Sequence, residues 1–152
     1  MGSIMANNKK VHSFKYRIAY ADTDRLGVVY YGNYFALFER GRTELMRDFG
    51  IRYRDLEEKD KVFLPASEAG CRYLAPARYD DLIQIKTGIS KLGGAYIDFY
   101  YDVINSETGK KLAEGFTRHP FVGENWKPVR IPQKLRKTLE PFVTKSPISD
   151  GS

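Results

Sequence analysis

Residues 20–34 read YADTDRLGVVYYGNY, and this stretch joins a strand to a helix. Before it, apolar and polar residues alternate from Phe14 to Tyr20, which is the period-2 pattern of a half-buried strand. After it, apolar residues recur at helical spacing as far as Phe49, and Gly50 then predicts the end of the helix. Two aspartates, a glycine turn and a short apolar run lie between the two elements. The connection therefore holds carboxylates close to the free N–H groups that open a helix.

The two aspartates of this connection have different expected roles. Aspartate at a strand end commonly hydrogen-bonds its own backbone to make a turn, and we assign that role to Asp22. Asp24 is followed by Gly27 and by a helix start near residues 31–33, so we interpret Asp24 as the reactive carboxylate. A carboxylate is ionised at neutral pH and can attack a carbonyl or activate water, while helix N–H groups stabilise the oxyanion. A carboxylate together with helix N–H groups is the least that the hydrolysis of an activated ester requires.

The rest of the chain reads mainly as strands. A short helix or turn is predicted at residues 53–59, strands at 62–74 (broken by Pro65), 82–89, 95–104 and 111–122, and a closing helix at 132–142. Turn signals separate the strands and predict hairpin connections. The order favours an α+β fold in which a five-stranded antiparallel sheet wraps around one long helix. The 11 tyrosines and 9 phenylalanines exceed what one helix can cover, so we expect the sheet or the edge of its final strand to contact a second subunit.

Length and composition narrow the class of protein. With 152 residues, 42% of them hydrophobic, the chain is expected to form a single domain over residues 1–152 with a core at about 12–133. No apolar run approaches the roughly 20 residues of a membrane span, and the first ten residues lack the apolar stretch of a signal peptide. The single cysteine, Cys71, excludes an internal disulfide and fits a reducing compartment. We therefore expect a cytoplasmic protein without a transmembrane segment.

The net charge of +6 is concentrated at the two ends of the chain. Residues 1–17 hold four basic residues and no acid, and residues 124–152 hold six basic residues against three acids. We interpret the ends chiefly as solubilising basic tails, with attraction of an anionic ligand such as a nucleotide-bearing thioester as the alternative. The basic residues are not interleaved with aromatic ones in a recognisable motif, so no nucleic-acid partner is expected.

Three segments together resemble a known family. They are YxDxDxxGVVY at residues 20–30, Asn33 with FERxRTE at residues 38–44, and YxxPARYDD at residues 73–81. This combination is similar to the hotdog-fold acyl-CoA thioesterases, specifically the 4-hydroxybenzoyl-CoA thioesterase family and its relatives that accompany the Tol–Pal system. The resemblance implies a hotdog fold, hydrolysis of an acyl- or aroyl-CoA substrate to the free acid and CoA, and a homo-oligomer, either a dimer or a tetramer. It calls for no cofactor.

The resemblance also implies roles around the helix start. Asp24 matches the catalytic aspartate, and the backbone N–H of Tyr31 matches the group that polarises the thioester carbonyl. Tyr20 and Gly32 are expected to contact the substrate. The Tol–Pal relatives carry histidine at the position of Tyr31, but the 4-hydroxybenzoyl enzymes can carry tyrosine there, so catalysis is expected to be retained. The family further implies that Asp24 of one subunit faces the Tyr31 helix end of the other.

Two more residues have both a substrate-binding and an ordinary interpretation. Glu39 matches the acyl end of the family's pocket, but it is equally an exposed helix glutamate paired with neighbouring arginines. The 4-hydroxybenzoyl enzymes have a basic phosphate-binding cluster where this chain reads Gly-Gly-Ala at residues 93–95. Lys91 is a nearby substitute for that cluster, or else a solvated lysine at a strand end.

Other function classes receive less support from the sequence. Cys71 with His12 or His119 would suit a cysteine hydrolase, but the residues around Cys71 read as a core strand. No His, Cys and Asp residues show the spacing of metal ligands. A hydratase on the same fold would need an Asp/His pair near the helix start, where no histidine lies. A non-catalytic hotdog module that binds an acyl thioester stays open as an alternative.

Overall fold

The computed structural model describes residues 10–144, and the predicted basic tails therefore lie partly outside the described residues, at 1–9 and 145–152. The main elements are β1 (His12–Arg17), α1 (Tyr34–Asp48), α2 (Tyr53–Asp55), β2 (Glu68–Tyr73), β3 (Leu82–Leu92), β4 (Tyr96–Asn105), β5 (Lys111–Pro120) and α3 (Gln133–Leu139). Short 3₁₀ turns at Tyr20–Asp22, Tyr31–Asn33 and Glu140–Phe142 and a wide helical turn at Leu56–Asp60 complete them. The predicted α+β fold, a five-stranded antiparallel sheet around one long helix, is confirmed.

The strand order in the sheet is β1-β3-β4-β5-β2, with every neighbouring pair antiparallel. Consecutive hairpins join β3, β4 and β5, as the turn signals predicted. The predicted hairpin between β2 and β3 is wrong, because β2 pairs with β5 on one side of the sheet while β3 pairs with β1 and β4. The final strand β5 is flanked on both sides, so the expected partner along its edge is also wrong, whereas the expected contact of the sheet face with a second subunit stays a prediction. The free edge beyond β5 belongs to β2.

The strand predicted over residues 62–74 is shorter in the structure. Regular pairing starts only at Glu68, and Phe63 forms an isolated bridge with Val122. Pro65 lies between them and has no N–H to donate to a neighbouring strand, which explains the interruption. Residues 62–67 instead cross beside the sheet before β2 begins.

Helix α1 packs its apolar stripe against the sheet, chiefly β3 and β1. The stripe contains Leu37, Phe38, Gly41, Leu45 and Met46, all buried. Phe38 stacks on Tyr101 of β4, with ring centroids 4.3 Å apart and planes inclined by 7°. Gly50 ends this segment with φ of 83°, as the sequence predicted. The packing of Phe38 on Tyr101 therefore fixes the position of α1 over the sheet.

Glycine at position 115 of β5 leaves room for this stacked pair. A Cβ atom at Gly115 would overlap the ring of Phe38 and lie 2.7 Å from the carbonyl oxygen of Gly70. Both neighbours are held in place, the first by the core and the second by the β2–β5 ladder. Gly94, in the turn before β4, has nothing within 4 Å of the same position.

We predict that Gly115→Ala lowers the free energy of unfolding by about 1–3 kcal/mol, because the added methyl overpacks the contact with Phe38. Gly94→Ala is the matched control and should change it by less than about 0.5 kcal/mol. Urea denaturation followed by circular dichroism measures both. Equal stabilities for the two variants would show that the helix is free to move away from β5.

A chain of buried polar groups crosses the core behind α1. The Tyr101 hydroxyl lies 2.6 Å from Thr117 Oγ1, and Thr117 Oγ1 lies 2.9 Å from His119 Nε2. His119 Nδ1 lies 3.0 Å from the carbonyl oxygen of Leu64, which can only accept. Nδ1 therefore carries the proton, and Nε2 accepts from Thr117. Burial, with the nearby positive charge of Arg42, lowers the pKa of His119 to about 4, so the ring is neutral at pH 7.

The depressed pKa of His119 predicts a loss of stability in acid. Between pH 6.5 and about 4 the unfolded chain binds a proton that the folded chain does not, so stability is full above pH 6.5 and falls as the pH falls. Lowering the pH from 7 to 4.5 should cost about 2 kcal/mol less in His119→Gln than in the unmodified protein. Urea denaturation at the two pH values measures the difference. An unchanged pH dependence in the variant would contradict the assignment of a neutral, buried His119.

Candidate active site

The loop after β1 is a tight turn built around Asp24. The N–H of Asp24 donates to the carbonyl of Val28 (2.9 Å), and the N–H of Gly27 donates to the carbonyl of Asp24 (3.0 Å). Asp24 Oδ1 accepts the N–H of Leu26 at 2.8 Å. Gly27 has φ of 79°, a conformation that explains the glycine. The Asp24 carboxylate is exposed, and its second oxygen accepts no hydrogen bond from residues 10–144.

Asp22 fastens this loop to β1 and to the helix start. Its Oδ2 accepts the hydroxyl of Tyr16 at 2.8 Å and the N–H of Ala19 at 2.7 Å. Its carbonyl oxygen accepts the N–H of Tyr30 at 3.1 Å and the side-chain amide of Asn33 at 2.9 Å. The hydrogen bond to Asp22 also raises the pKa of Tyr16. The interpretation of Asp22 as the residue that forms the turn is confirmed.

The helix start after this loop has two backbone donors without an acceptor among the described residues. Residues Tyr31–Asn33 form a 3₁₀ turn that runs directly into α1. Within the described part of the chain, the N–H groups of Tyr31 and Gly32 have no hydrogen-bond acceptor. They lie two and three residues beyond Val29, which bridges to Thr23 next to Asp24. Each subunit therefore carries Asp24 and the Tyr31 helix end on one loop, and the expectation that Asp24 of one subunit faces the helix end of the other stays a prediction.

Gly32 is the small residue that this arrangement requires. A Cβ atom at Gly32 would come within 2.7 Å of the ring of Tyr30. The rings of Tyr30 and Tyr31 pack side by side, with centroids 4.7 Å apart. A larger residue at Gly32 would displace the Tyr30 ring from the opening of the helix.

Five tyrosines surround the loop and form what we call the tyrosine collar: Tyr20, Tyr30, Tyr31, Tyr73 and Tyr79, each between 44% and 78% exposed. The Tyr73 hydroxyl donates to the carbonyl of Tyr31 at 3.0 Å, and the rings of Tyr20 and Tyr79 meet edge to face at 5.6 Å. Partial burial, with the Cys71 thiol nearby, raises the pKa of Tyr73 to about 12, so the hydroxyl stays a donor. An exposed apolar patch of this kind marks a binding surface. The sequence analysis named Tyr20 but missed the structural role of Tyr73.

The two remaining predicted residues lie apart from Asp24. Glu39 is exposed on α1 and forms no ion pair with residues 10–144; it lines a groove that contains Arg42. Lys91 lies near the far end of β3, beside the ring of Tyr96. Because β3 starts next to the acidic loop, nine residues of strand separate Lys91 from it by about 30 Å. One subunit therefore does not bring Lys91 to Asp24.

The cysteine and the histidines do not form a reactive pair. Cys71 is half-buried on β2, and burial raises the pKa of its thiol, which disfavours the reactive thiolate. Cys71 lies opposite Gly115, four residues along β5 from His119, while His12 pairs with Asp48 at 3.3 Å. Residues 10–144 contain no cluster of His, Cys, Asp or Glu that could hold a metal ion. No helix in this range is long and apolar enough to cross a membrane.

Comparison with known proteins identifies the class to which this fold and site belong. The chain matches the thioesterase-like superfamily over residues 18–139. The acyl-CoA thioester hydrolase YbgC of Escherichia coli O6:H1 is 34% identical over 100 residues, which cover 66% of this chain and 74% of that protein. The chain therefore belongs to the thioesterase-like superfamily, as the sequence motifs predicted. A relation to the Tol–Pal-associated members stays a prediction.

Solved structures agree with this assignment. The crystal structure of the hypothetical protein TT1821 from Thermus thermophilus superposes with a TM-score of 0.81 at 30% identity, covering 89% of this chain and 99% of that one. A 4-hydroxybenzoyl-CoA thioesterase variant in complex with 4-hydroxybenzoyl-CoA superposes with a TM-score of 0.78, covering 86% of this chain and 99% of that one. At 17% identity the second likeness shows the fold alone. The chain thus has the hotdog fold.

We predict that Cys71→Ser keeps the activity of this site. The thiol is half-buried and its pKa is raised, so the substitution should cost some stability by placing a hydroxyl in an apolar setting but should not remove a reacting group. Activity per folded molecule and the midpoint of thermal unfolding measure the two effects. Complete inactivation of a folded Cys71→Ser variant would move the chemistry from Asp24 to the thiol.

Proposed function

We propose that this protein is an acyl-CoA thioesterase that hydrolyses an acyl- or aroyl-CoA to the free acid and CoA. The observation that carries the proposal is a single loop that holds an exposed carboxylate, Asp24, and runs into a helix start whose N–H groups at Tyr31 and Gly32 have no acceptor among residues 10–144. Membership of the thioesterase-like superfamily and the likeness to YbgC support the same reaction. The single cysteine and the lack of a disulfide fit a reducing cytoplasm.

Each part of the loop has a role in the proposed reaction. The thioester carbonyl oxygen accepts hydrogen bonds from the N–H groups of Tyr31 and Gly32, which stabilise the negative charge that forms on it. Asp24 then acts in one of two ways. It attacks the carbonyl carbon, expels the CoA thiolate and leaves an anhydride that water hydrolyses, or it takes a proton from a water molecule that makes the attack. In both routes the C–S bond breaks and the products are the acid and CoA.

The tyrosine collar is the proposed contact surface for the acyl group and the thioester. Tyr20 and Tyr79 present ring edges beside the loop, and Tyr73 holds the carbonyl of Tyr31. Exposed rings favour an apolar or aromatic acyl group, because they bury it without introducing unpaired polar atoms. The solved complex with 4-hydroxybenzoyl-CoA shows that a protein of this fold binds an aroyl thioester.

We propose that the working enzyme is a homo-oligomer, at least a dimer. Strand β2 is an edge of the sheet, and its outward backbone groups are free to pair with a second copy. Tyr73 lies at the end of β2, so an interface along this strand continues into the tyrosine collar. A second subunit on this edge would cover the collar and exclude water from the thioester.

We predict that Asp24→Asn folds normally and loses at least about 10²-fold in kcat, because the amide neither attacks a carbonyl nor takes a proton. Its oxygen still accepts the Leu26 N–H, so the turn is kept. The control is Glu107→Gln, which also turns a carboxylate into an amide but lies in the exposed β4–β5 loop. Its kcat should equal that of the unmodified protein. Thiol release from aryl, short and long acyl-CoA substrates measures the rates. Unimpaired turnover by Asp24→Asn would contradict the assigned role.

We predict that activity depends on the assembly. Dilution should abolish activity together with the oligomer, and mixing Asp24→Asn subunits with unmodified ones should leave partial activity. Analytical ultracentrifugation at micromolar concentration, combined with the thiol-release assay on the same samples, measures both properties. A fully active monomer would rule out the β2 interface as part of the working site.

A further inference from the structure

A groove rich in arginine lies along α1, away from the acidic loop. We call it the arginine groove; it has a volume of about 490 Å³ and runs between α1 and residues 52–57, with Leu64 among its lining residues. Four of the residues that line it are the arginines Arg42, Arg47, Arg52 and Arg54. Two carboxylates, Glu39 and Glu57, line it as well. The groove is therefore positively charged, although residues 18–123 as a whole hold slightly more acids than bases.

Two of these arginines lack a carboxylate partner. Arg47 lies 3.8 Å from Glu44, and Arg52 lies 3.2 Å from Asp55. Arg42 and Arg54 have no carboxylate oxygen within 4.0 Å among residues 10–144. Arg42 is half-buried, where an uncompensated charge is costly.

A buried hydroxyl in the same groove also lacks an acceptor. The Tyr53 hydroxyl is enclosed, its polar neighbour is the guanidinium of Arg42, which can only donate, and no atom of residues 10–144 accepts the hydroxyl proton. Burial raises the pKa of Tyr53 despite the neighbouring Arg42, so the group is a neutral donor at pH 7. An anionic oxygen accepts hydrogen bonds both from a buried hydroxyl and from a guanidinium that has no carboxylate partner. An anion in the groove would therefore satisfy both groups. The planar fork of Arg42 suits a carboxylate or a phosphate.

The groove lies within reach of the candidate reaction centre. Glu39 is eight residues beyond Tyr31 and Arg42 is eleven, so along the helix they lie about 12 Å and 16 Å from the oxyanion position. Lys91, the substitute expected for a phosphate contact, is about 30 Å from the acidic loop in the same subunit. The arginine groove is thus the nearer cationic site on this chain.

We infer that the arginine groove binds an anionic group of the thioester substrate, with Arg42, Arg54 and Tyr53 as its donors. The group is a phosphate or a carboxylate: the phosphates lie at the end of the pantetheine arm of CoA, and a carboxylate can end the acyl chain. The inference rests on the proposed thioesterase function and names a specificity-determining site for it. These three donors favour substrates that carry a negative charge at a fixed distance from the thioester bond.

The test uses four thioesters: butyryl-CoA, adipoyl-CoA, and the same two acyl groups on pantetheine. Butyryl-pantetheine carries no anionic group, so it reports the chemistry alone. The variants are Arg54→Gln, which changes an exposed side chain and should not affect folding, and Arg42→Gln at the half-buried position. Arg130→Gln, exposed and outside the groove, is the matched control.

Both groove variants should raise KM about tenfold for thioesters that carry the recognised anion, with KM for butyryl-pantetheine unchanged. A rise in KM for the two CoA thioesters would show that the groove binds a phosphate. A rise in KM for the two adipoyl thioesters would show that it binds the acyl carboxylate. Unchanged KM values on all four substrates, or an equal rise that includes butyryl-pantetheine, overturn the inference. If Arg42→Gln does not fold, Arg54→Gln alone decides. Failure of the unmodified protein to hydrolyse these four thioesters and also the aryl and long acyl-CoA substrates would remove the proposed function itself. That result differs from hydrolysis that is unaffected by the arginine substitutions.

Discussion

The hydrogen bonds made by Asp22 are the constraint on which the candidate site depends. One residue ties three segments together: its carboxylate holds Tyr16 and Ala19 at the end of β1, and its carbonyl holds Tyr30 and Asn33 at the helix start. Without these contacts the acidic turn would be a free loop between two elements. With them, the turn that carries Asp24 has one position relative to the first N–H groups of the helix, and an oxyanion site needs that fixed geometry.

The rest of the fold fixes the helix whose N-terminal end belongs to the candidate site. The stack of Phe38 on Tyr101 and the close contact at Gly115 fix α1 over the sheet. The polar chain through Thr117 and His119 lies beneath them and satisfies the buried hydroxyls and ring nitrogens that an aromatic core would otherwise leave unpaired. The helix start is therefore held from the core side by packing and from the loop side by Asp22.

Short sequence patterns correctly predicted most of the features that depend on residues close together in the sequence. The alternation after Phe14, the helical stripe, Gly50 and the Asp22 turn each depend on neighbours within a few residues, and the structure confirms them. The predicted strand end at Tyr20 is wrong, because β1 ends at Arg17 and Tyr20 begins a 3₁₀ turn. The position of β2 could not be predicted in this way, because its pairing with β5 joins residues some 45 apart in sequence, such as Gly70 and Phe116. The tyrosine collar and the arginine groove were missed for the same reason. Their members come from separate elements, and only folding brings Tyr73 to Tyr31 or Tyr53 to Arg42.

The central claim is that the Asp24 loop and the N-terminal end of the helix form one thioester site. A crystal structure of the protein with a ketone analogue of butyryl-CoA, in which a methylene replaces the thioester sulfur, tests it most directly, since the carbonyl is kept and cannot be hydrolysed. We predict that the carbonyl oxygen lies at hydrogen-bond distance, about 2.7–3.2 Å, from the N–H of Tyr31 or Gly32. The Asp24 carboxylate should face the carbonyl carbon directly or through one water. A carbonyl bound away from the helix start, with Asp24 facing solvent, would contradict the account.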